Sequence, residues 1–385
     1  MYPRALTLPQ RTFFLFGPRG TGKTTWLHHG VPGAAWFDLL DLRLVLELSR
    51  RPEAFRMRVE ALPPGSWVVV DEIQKLPELL DAVHSLLFAH ADEYRFALTG
   101  SSARKLKRAE VNLLAGRAVN RWMLPLTAGE MGFEREVEDL LTFGALPAVC
   151  TAASAQERVD ILDAYKANYV REEIKQEAVV RNLSSFVRFL DVVAVANGQV
   201  VNLAGIARDA AVARPTVQGY FEVLVDTLLG AWLPAYRPRA KVKEVQHRKF
   251  YLFDCGVARA LAGRLHERPA DAERGPLLET WVLHELRAHL AYARCGGELT
   301  YWRTPSGSEI DFVWSRGDRA VGIEVKAARR WRREYGRSLA ELERLDHLRS
   351  CFGVYLGHEV LRDGPIQVLP ALEFARWLAQ GRIVG

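Results

Sequence analysis

Gly17-Pro18-Arg19-Gly20-Thr21-Gly22-Lys23-Thr24 follows the apolar run Phe13-Phe14-Leu15-Phe16 and leads into a helical segment from Thr24 to His29. Strand, glycine-rich turn and helix in that succession are the context that the pattern G-x-x-x-x-G-K-[ST] requires. Glycines let backbone N–H groups close around phosphate oxygens, and the helix N-terminus favours negative charge. Lys23 is expected to neutralise the outer phosphates and the Thr24 hydroxyl to ligate Mg²⁺. Gly17, Gly20, Thr21, Gly22, Lys23, Thr24 and Thr25 are therefore the expected nucleotide-binding residues, with ATP and Mg²⁺ as the ligands.

Two further apolar runs, Trp67-Val68-Val69-Val70 and Phe96-Ala97-Leu98, read as buried strands of a parallel sheet, which show continuous apolar runs instead of alternation. The first ends in Asp71-Glu72, at the carboxyl edge where open α/β sheets bind ligands. Asp71 is expected to hold Mg²⁺ through water and Glu72 to orient and deprotonate the attacking water; the plainer alternative for Glu72 is a solvated loop carboxylate. The second ends in Thr99-Gly100-Ser101-Ser102, where a polar side chain such as Ser101 is placed to touch the γ-phosphate or the water, unless this is an ordinary strand-to-helix turn. Arg104, Arg117 and Arg121 follow, and Arg117 is the foremost candidate for an arginine finger, although each alone reads first as a surface residue.

At 385 residues the chain suggests two or three domains, and the pattern changes twice along it. Residues 1–152 read as α/β, 153–269 as helical, and 270–385 as α+β. In the middle segment, Asn202 to Asp209 and Ala213 to Phe221 read as helix, turn, helix, with Leu203, Ile206, Ala207, Val217, Tyr220 and Leu224 as the apolar seam. Strands near Trp232–Tyr236 and Lys249–Phe253 would close a wing, and Arg237, Arg239, Lys241 and Lys243 between them suit phosphate contacts. Winged helices in ATPases also serve as lids or subunit contacts.

In the tail, Ser308–Ser315 and Ala320–Lys326 flank Gly317-Asp318, which suits a two-residue hairpin turn. That turn sets Asp311 opposite Glu324 and Glu309 opposite Lys326, all on one face, with Ile310, Phe312, Trp314, Val321, Ile323 and Val325 on the other. Opposed carboxylates repel, a conflict that Mg²⁺ or Mn²⁺ would resolve, and Lys326 is placed to orient or activate water. Asp311 and Glu324 are thus expected as metal ligands and, with Lys326, as catalytic residues; a solvated polar hairpin face is the alternative. E-x-K is a weak pattern, as the decoy Glu173-Ile174-Lys175 shows. Gly275-Pro276 is expected to open a helix whose apolar arc contains Glu279, a further candidate ligand, with Glu285 at the arc's edge. Arg329 to Arg337 interleaves five arginines with Trp331 and Tyr335, a phosphate-gripping pattern.

A formal net charge of +6 is compatible with a polyanionic partner. The longest charge-free stretches, Leu140–Gln156 and Val192–Ala207, fall short of the ~20 apolar residues of a membrane span, so no membrane association and a cytoplasmic location are expected. Cys150, Cys255, Cys295 and Cys351 stand singly, which indicates neither a zinc site nor a disulfide framework.

The chain resembles, nearly end to end, the AAA+-type ATPases of bacteria and archaea that carry a nuclease-like C-terminal domain of the PD-(D/E)XK type. Besides the two ATP motifs, the resemblance rests on Leu98 to Ala103, Leu114-Ala115-Gly116-Arg117, Pro125 to Glu130, Tyr251 to Gly256, Ile310-Asp311-Phe312 and Ile323-Glu324-Val325-Lys326. Arg171-Glu172 departs from the family's Arg-Asp but keeps the acid. The resemblance implies a P-loop AAA+-like parallel sheet, a winged-helix middle and a restriction-endonuclease-like tail. The expected function is ATP hydrolysis coupled to a metal-dependent nuclease acting on nucleic acid, DNA before RNA, in a homo-oligomer such as a ring. The alternative is an ATPase whose tail is catalytically silent and binds DNA or protein.

Overall fold

The computed structural model describes residues 2–90, 93–102, 114, 116–168, 182–236 and 247–384. Arg104, Arg171-Glu172, the decoy Glu173-Ile174-Lys175 and the basic run Arg237, Arg239, Lys241 and Lys243 lie outside the described residues. The chain divides into two compact units, Arg4–Pro125 with Asp226–Leu228, and Met1–Pro3 with Leu126–Val225 and Leu229–Gly385. The segments read from sequence as separate middle and C-terminal domains lie in this second unit, and residue 152 falls inside it.

The first unit holds a parallel sheet of β1 (Phe13–Phe16), β2 (Ala35–Asp38), β3 (Ser66–Asp71), β4 (Tyr94–Gly100) and β5 (Val119–Trp122), in the order β2-β3-β4-β1-β5. The three inner strands carry the continuous apolar runs, and Phe14, Val68, Val70, Phe96 and Leu98 are fully buried. Each such side chain contributes roughly 1.5–3 kcal/mol by leaving water. The edge strands β2 and β5 were not anticipated from sequence, because each has four residues and keeps part of its surface exposed. Helices Lys23–Gly30, Leu42–Arg50, Glu53–Glu60 and Leu79–Ala89 connect the strands, and the Asp41 carboxylate caps the second by accepting from Arg43 N at 2.8 Å.

In the second unit, helices Leu183–Val195, Leu203–Asp209 and Arg214–Asp226 pack around Phe186, Phe189, Tyr220 and Phe221. Asn182 and Asn202 cap the first two, each accepting from a backbone N–H at 3.1 Å. The antiparallel pair β6 (Gly230–Leu233) and β7 (Lys249–Leu252) covers this cluster through Trp232 and Phe250. After β7, buried Asp254 caps the helix Cys255–Leu261 by accepting from Val257 N at 3.0 Å, and also accepts from Ala145 N at 2.7 Å. Burial raises its carboxyl to about 6. The motif Tyr251 to Gly256 thus has a structural role here.

The rest of this unit is a six-stranded mixed sheet. Its strands are β8 (Glu298–Arg303), β9 (Glu309–Arg316), β10 (Arg319–Lys326), β11 (Ser350–Tyr355), β12 (Leu361–Asp363) and β13 (Ile366–Pro370), in the order β12-β13-β11-β10-β9-β8. The β9–β10 hairpin keeps the register set by the Gly317-Asp318 turn, from Arg319↔Arg316 to Ile323↔Phe312. Phe312, Trp314, Val321, Ile323 and Val325 face a core shared with the helices Asp271–Ala293 and Ala371–Ala379. The opposite face is not left open to water, as a solvated polar face would be: Val313 and Ala320 pack beneath Leu339 and Leu342 of the helix Arg337–Arg344. The long helix begins at Asp271, before Gly275-Pro276, so Pro276 lies inside it, in the second turn, and gives up the N–H that would otherwise pair with Ala272 O. Among the described residues, no helix is long and apolar enough to cross a membrane.

Glu285, on that helix, is buried and accepts from Ala128 N at 2.7 Å. Burial raises its carboxyl to about 8. The unfolded chain releases this proton near the ordinary carboxylate value, so the wild type loses stability as pH rises from there through the folded value. Glu285→Gln keeps the acceptor without the proton, so it should match the wild type at pH 4–5 and exceed it by an amount on the order of a few kcal/mol above pH 8. Urea unfolding across this range checks it, and parallel stability curves would contradict it.

Candidate nucleotide site and C-terminal charge cluster

β1 ends at Phe16, and the chain then passes close to the backbone beyond β5. A Cβ at Gly17 would stand 2.1 Å from the Met123 carbonyl oxygen, so only glycine fits. Gly22 adopts the left-handed φ of 88° and releases the helix at Lys23. Buried Lys23 Nζ donates to Gly17 O at 2.8 Å and Pro18 O at 3.1 Å, which holds the ammonium inside the loop. Thr21 Oγ1 donates to Pro18 O at 2.9 Å and pins the turn, whereas Thr25 is exposed one residue along the helix. Sequence reading missed Arg4, whose guanidinium donates to Thr21 O at 2.7 Å and Leu124 O at 2.6 Å. Its partners are distant in sequence, so no local pattern signals it.

Because β4 lies between β3 and β1, the end of β4 stands between the acidic pair and the glycine loop. Thr24 Oγ1 donates to Asp71 Oδ2 at 2.7 Å, and Thr99 Oγ1 donates to Asp71 Oδ1. Burial pushes the Asp71 carboxyl above its ordinary value, against the pull of the Thr99 and Thr24 hydroxyls. Glu72 takes a left-handed φ of 59°, which costs a non-glycine residue roughly 1–2 kcal/mol. Its N–H donates to Thr99 Oγ1 at 2.9 Å, and its carboxylate accepts from Ser101 Oγ at 2.9 Å and from Gln74 Nε2. Gln74, also missed from sequence, donates to Ser101 Oγ at 3.0 Å. Thr24 and Asp71 are adjacent oxygen donors of the kind Mg²⁺ prefers, and the ion would supply charge neutralisation for phosphate oxygens there.

Arg117 is not part of this group. It precedes β5 at the amino edge of the sheet, with Nη1 2.9 Å from His84 Nε2 and its guanidinium over the Phe88 ring.

The tail residues come together at the end of the β9–β10 hairpin away from the turn. Asp311 and Glu324 are both buried, each one residue beyond the Ile323–Phe312 pair, and Asp311 Oδ2 accepts from Val325 N at 2.8 Å. Lys326 Nζ bonds Glu324 Oε1 and lies 3.8 Å from Asp311 Oδ2. Glu309 pairs with Lys249, not with Lys326. Lys249 was not singled out in the sequence. From the start of β7 its ammonium, only 4% exposed, reaches Glu309 Oε1 at 2.5 Å, Glu279 Oε2 at 3.5 Å and Asp311 Oδ1 at 3.7 Å. Tyr251 OH donates to Glu279 Oε2 at 2.6 Å.

Burial works to discharge Lys249, but the charges of Glu279, Asp311 and Glu309 outweigh it and raise its pKa. Burial, with Asp311 adding to it, raises Glu279 to about 7 and Glu324 well above the ordinary value. Among the described residues, no group of three or more His, Cys, Asp or Glu side chains is arranged to hold a metal ion. As folded, the ammonium groups of Lys249 and Lys326 stand among the expected set Asp311, Glu324 and Glu279.

Against known families, residues 9–132 match the AAA domain, residues 134–268 a domain of unknown function (DUF8612) and residues 274–374 another (DUF4143). The match over the N-terminal segment supports an AAA-type ATPase there. The chain is 28% identical over 316 residues to uncharacterized proteins of Mycobacterium tuberculosis and Mycobacterium bovis, which covers 81% of this chain and 69% of theirs. A crystal structure of a Vibrio cholerae protein aligns with 96% of this chain and 98% of its own at 11% identity, with a TM-score of 0.21.

Thr99 connects Asp71 with the Glu72 backbone, so Thr99→Val, which keeps the shape and removes the hydroxyl, should lower ATP turnover by about tenfold or more, as expected for losing hydrogen bonds to a charged group. ATP affinity should change little. Steady-state kinetics with a separate binding titration check this, and unchanged turnover would remove Thr99 from the machinery.

Proposed function

We propose that this chain hydrolyses ATP in a nucleic-acid-binding regulatory or assembly role, and that its tail binds without cutting. The observation that carries the ATPase reading is the continuous hydrogen-bonded chain from Thr24 through Asp71 and Thr99 to Glu72, beside a buried Lys23. In this reading Lys23 binds phosphate, Thr24 and Asp71 hold Mg²⁺, and Glu72 positions and deprotonates water, with Ser101 and Gln74 fixing its carboxylate.

Nucleic-acid binding is supported by a cleft of 960 Å³ bordered by Asn202, Arg214, Gln218, Trp232 and Arg248. Amide, guanidinium and indole groups together suit phosphates and a stacked base. The helix pair Leu203–Asp209 and Arg214–Asp226 with β6 and β7 supports a winged-helix reading of this region. Exposed Arg329, Arg330, Arg332, Arg333 and Arg337 add a second basic surface, held where Trp331 Nε1 donates to Asp363 Oδ2 at 3.1 Å. The silent-tail reading is supported by the lysines seated in the carboxylate cluster.

Lys23→Ala should nearly abolish ATP binding, whereas Glu72→Gln should retain binding and lose turnover, because an amide cannot take up the proton. Normal hydrolysis by Glu72→Gln would remove Glu72 as the base. With Mg²⁺ or Mn²⁺, with or without ATP, the wild type should leave plasmid and single-stranded DNA intact. Cleavage that disappears in Asp311→Asn would restore the nuclease reading.

An arginine supplied to a neighbouring subunit is worth ~10³ or more in rate. The place of Arg117 at the sheet's amino edge supports such a role in a homo-oligomer over one at its own P-loop. Mixing Arg117→Ala with Lys23→Ala subunits should then recover part of the activity. A monomer with full activity in light scattering would exclude the arrangement.

A further inference from the structure

We infer that Lys249 is the resident cation of the C-terminal carboxylate cluster and keeps that cluster closed to a divalent metal. This goes beyond the ATPase reading and is tested without ATP turnover. The cluster gathers Glu279, Glu309, Asp311 and Glu324 at the hairpin end, and a divalent ion bound to these oxygens would stand roughly 2.0–2.6 Å from each. Lys249 Nζ already lies 2.5, 3.5 and 3.7 Å from oxygens of Glu309, Glu279 and Asp311. Lys326 closes the other side through Glu324 and Asp311.

Both Asp311 oxygens are engaged, Oδ1 toward Lys249 and Oδ2 by Val325 N and Lys326. A metal ion would have to displace an ammonium and lie beside another of like charge. Withdrawal of Lys249 is hindered by its backbone, which pairs with Leu233 in the β6–β7 ladder and with Val200 in a bridge. Its head also lies 5.4 Å from the centre of the Tyr301 ring. Glu324 Oε2 is buried without a hydrogen-bond partner, so one acceptor of the cluster is left for a cation once the lysine is gone.

The decisive variant is Lys249→Met in the full chain without nucleotide, with Mn²⁺ as the probe in calorimetric titration and thermal unfolding. The variant should bind one more Mn²⁺ than the wild type, or bind it at least about tenfold tighter, and gain several degrees of Tm on adding Mn²⁺. Both gains should vanish in Lys249→Met/Asp311→Asn. A folded variant with no gain, or a wild type that binds Mn²⁺ equally well through Asp311, overturns the inference.

Should Lys249→Met fail to fold, wild type and Asp311→Asn decide the matter. If Lys249 is the cation, Asp311→Asn lowers Tm in EDTA, and Mn²⁺ shifts neither protein. If Asp311 and Glu324 instead repel across a site awaiting metal, Asp311→Asn leaves Tm in EDTA unchanged or higher, and Mn²⁺ stabilises the wild type alone. That second pattern overturns the inference.

Discussion

A carboxylate removed from water must be met by hydrogen-bond donors or a cation, and this requirement governs how the chain is tied together. Asp71 joins the end of β3 to the glycine-loop helix through Thr24 and to β4 through Thr99. Asp254 fastens the turn before Ala145 to the helix after β7, and Glu285 fastens the long helix to Ala128. The cluster around Lys249 is the largest case, since it joins β7, the long helix and the β9–β10 hairpin by charge. Removing one partner leaves an uncompensated buried group, so these contacts constrain the arrangement more than they add net stability.

The same physics separates the two sites. At the P-loop, acids meet hydroxyls and an amide: Thr24 and Thr99 bond Asp71, and Ser101 and Gln74 bond Glu72. In the tail, acids meet the ammonium groups of Lys249 and Lys326. Similar acidic residues at the ends of buried strands therefore meet partners of different charge. The matches with families of unknown function over residues 134–268 and 274–374 fit a region whose chemistry is not declared by motif alone.

The backbone adds a second constraint at the nucleotide site. Glu72 is held in a left-handed conformation by Thr99 and carries its carboxylate toward Ser101 and Gln74. Such strain persists only where neighbours over-determine it, and three side chains here do so.

What was legible in the sequence was whatever depends on neighbours along the chain. The strand and glycine loop from Phe13 to Thr24, the acids after Val70, the helix pair around Ala207 and Val217 and the hairpin register all follow from local period and turn chemistry. The short edge strands β2 and β5 escaped because half-exposed strands of four residues carry too little apolar pattern. Local reading also placed Asp311 and Glu324 together but gave no sign of Lys249 beside them. Only the tertiary structure decided that point, since Lys249 lies 62 residues from Asp311 in sequence and its approach depends on how β7 packs against the tail sheet. Arg4, whose bonds reach Thr21 and Leu124, was hidden for the same reason: electrostatic partners are chosen by distance in space, which no local spacing encodes.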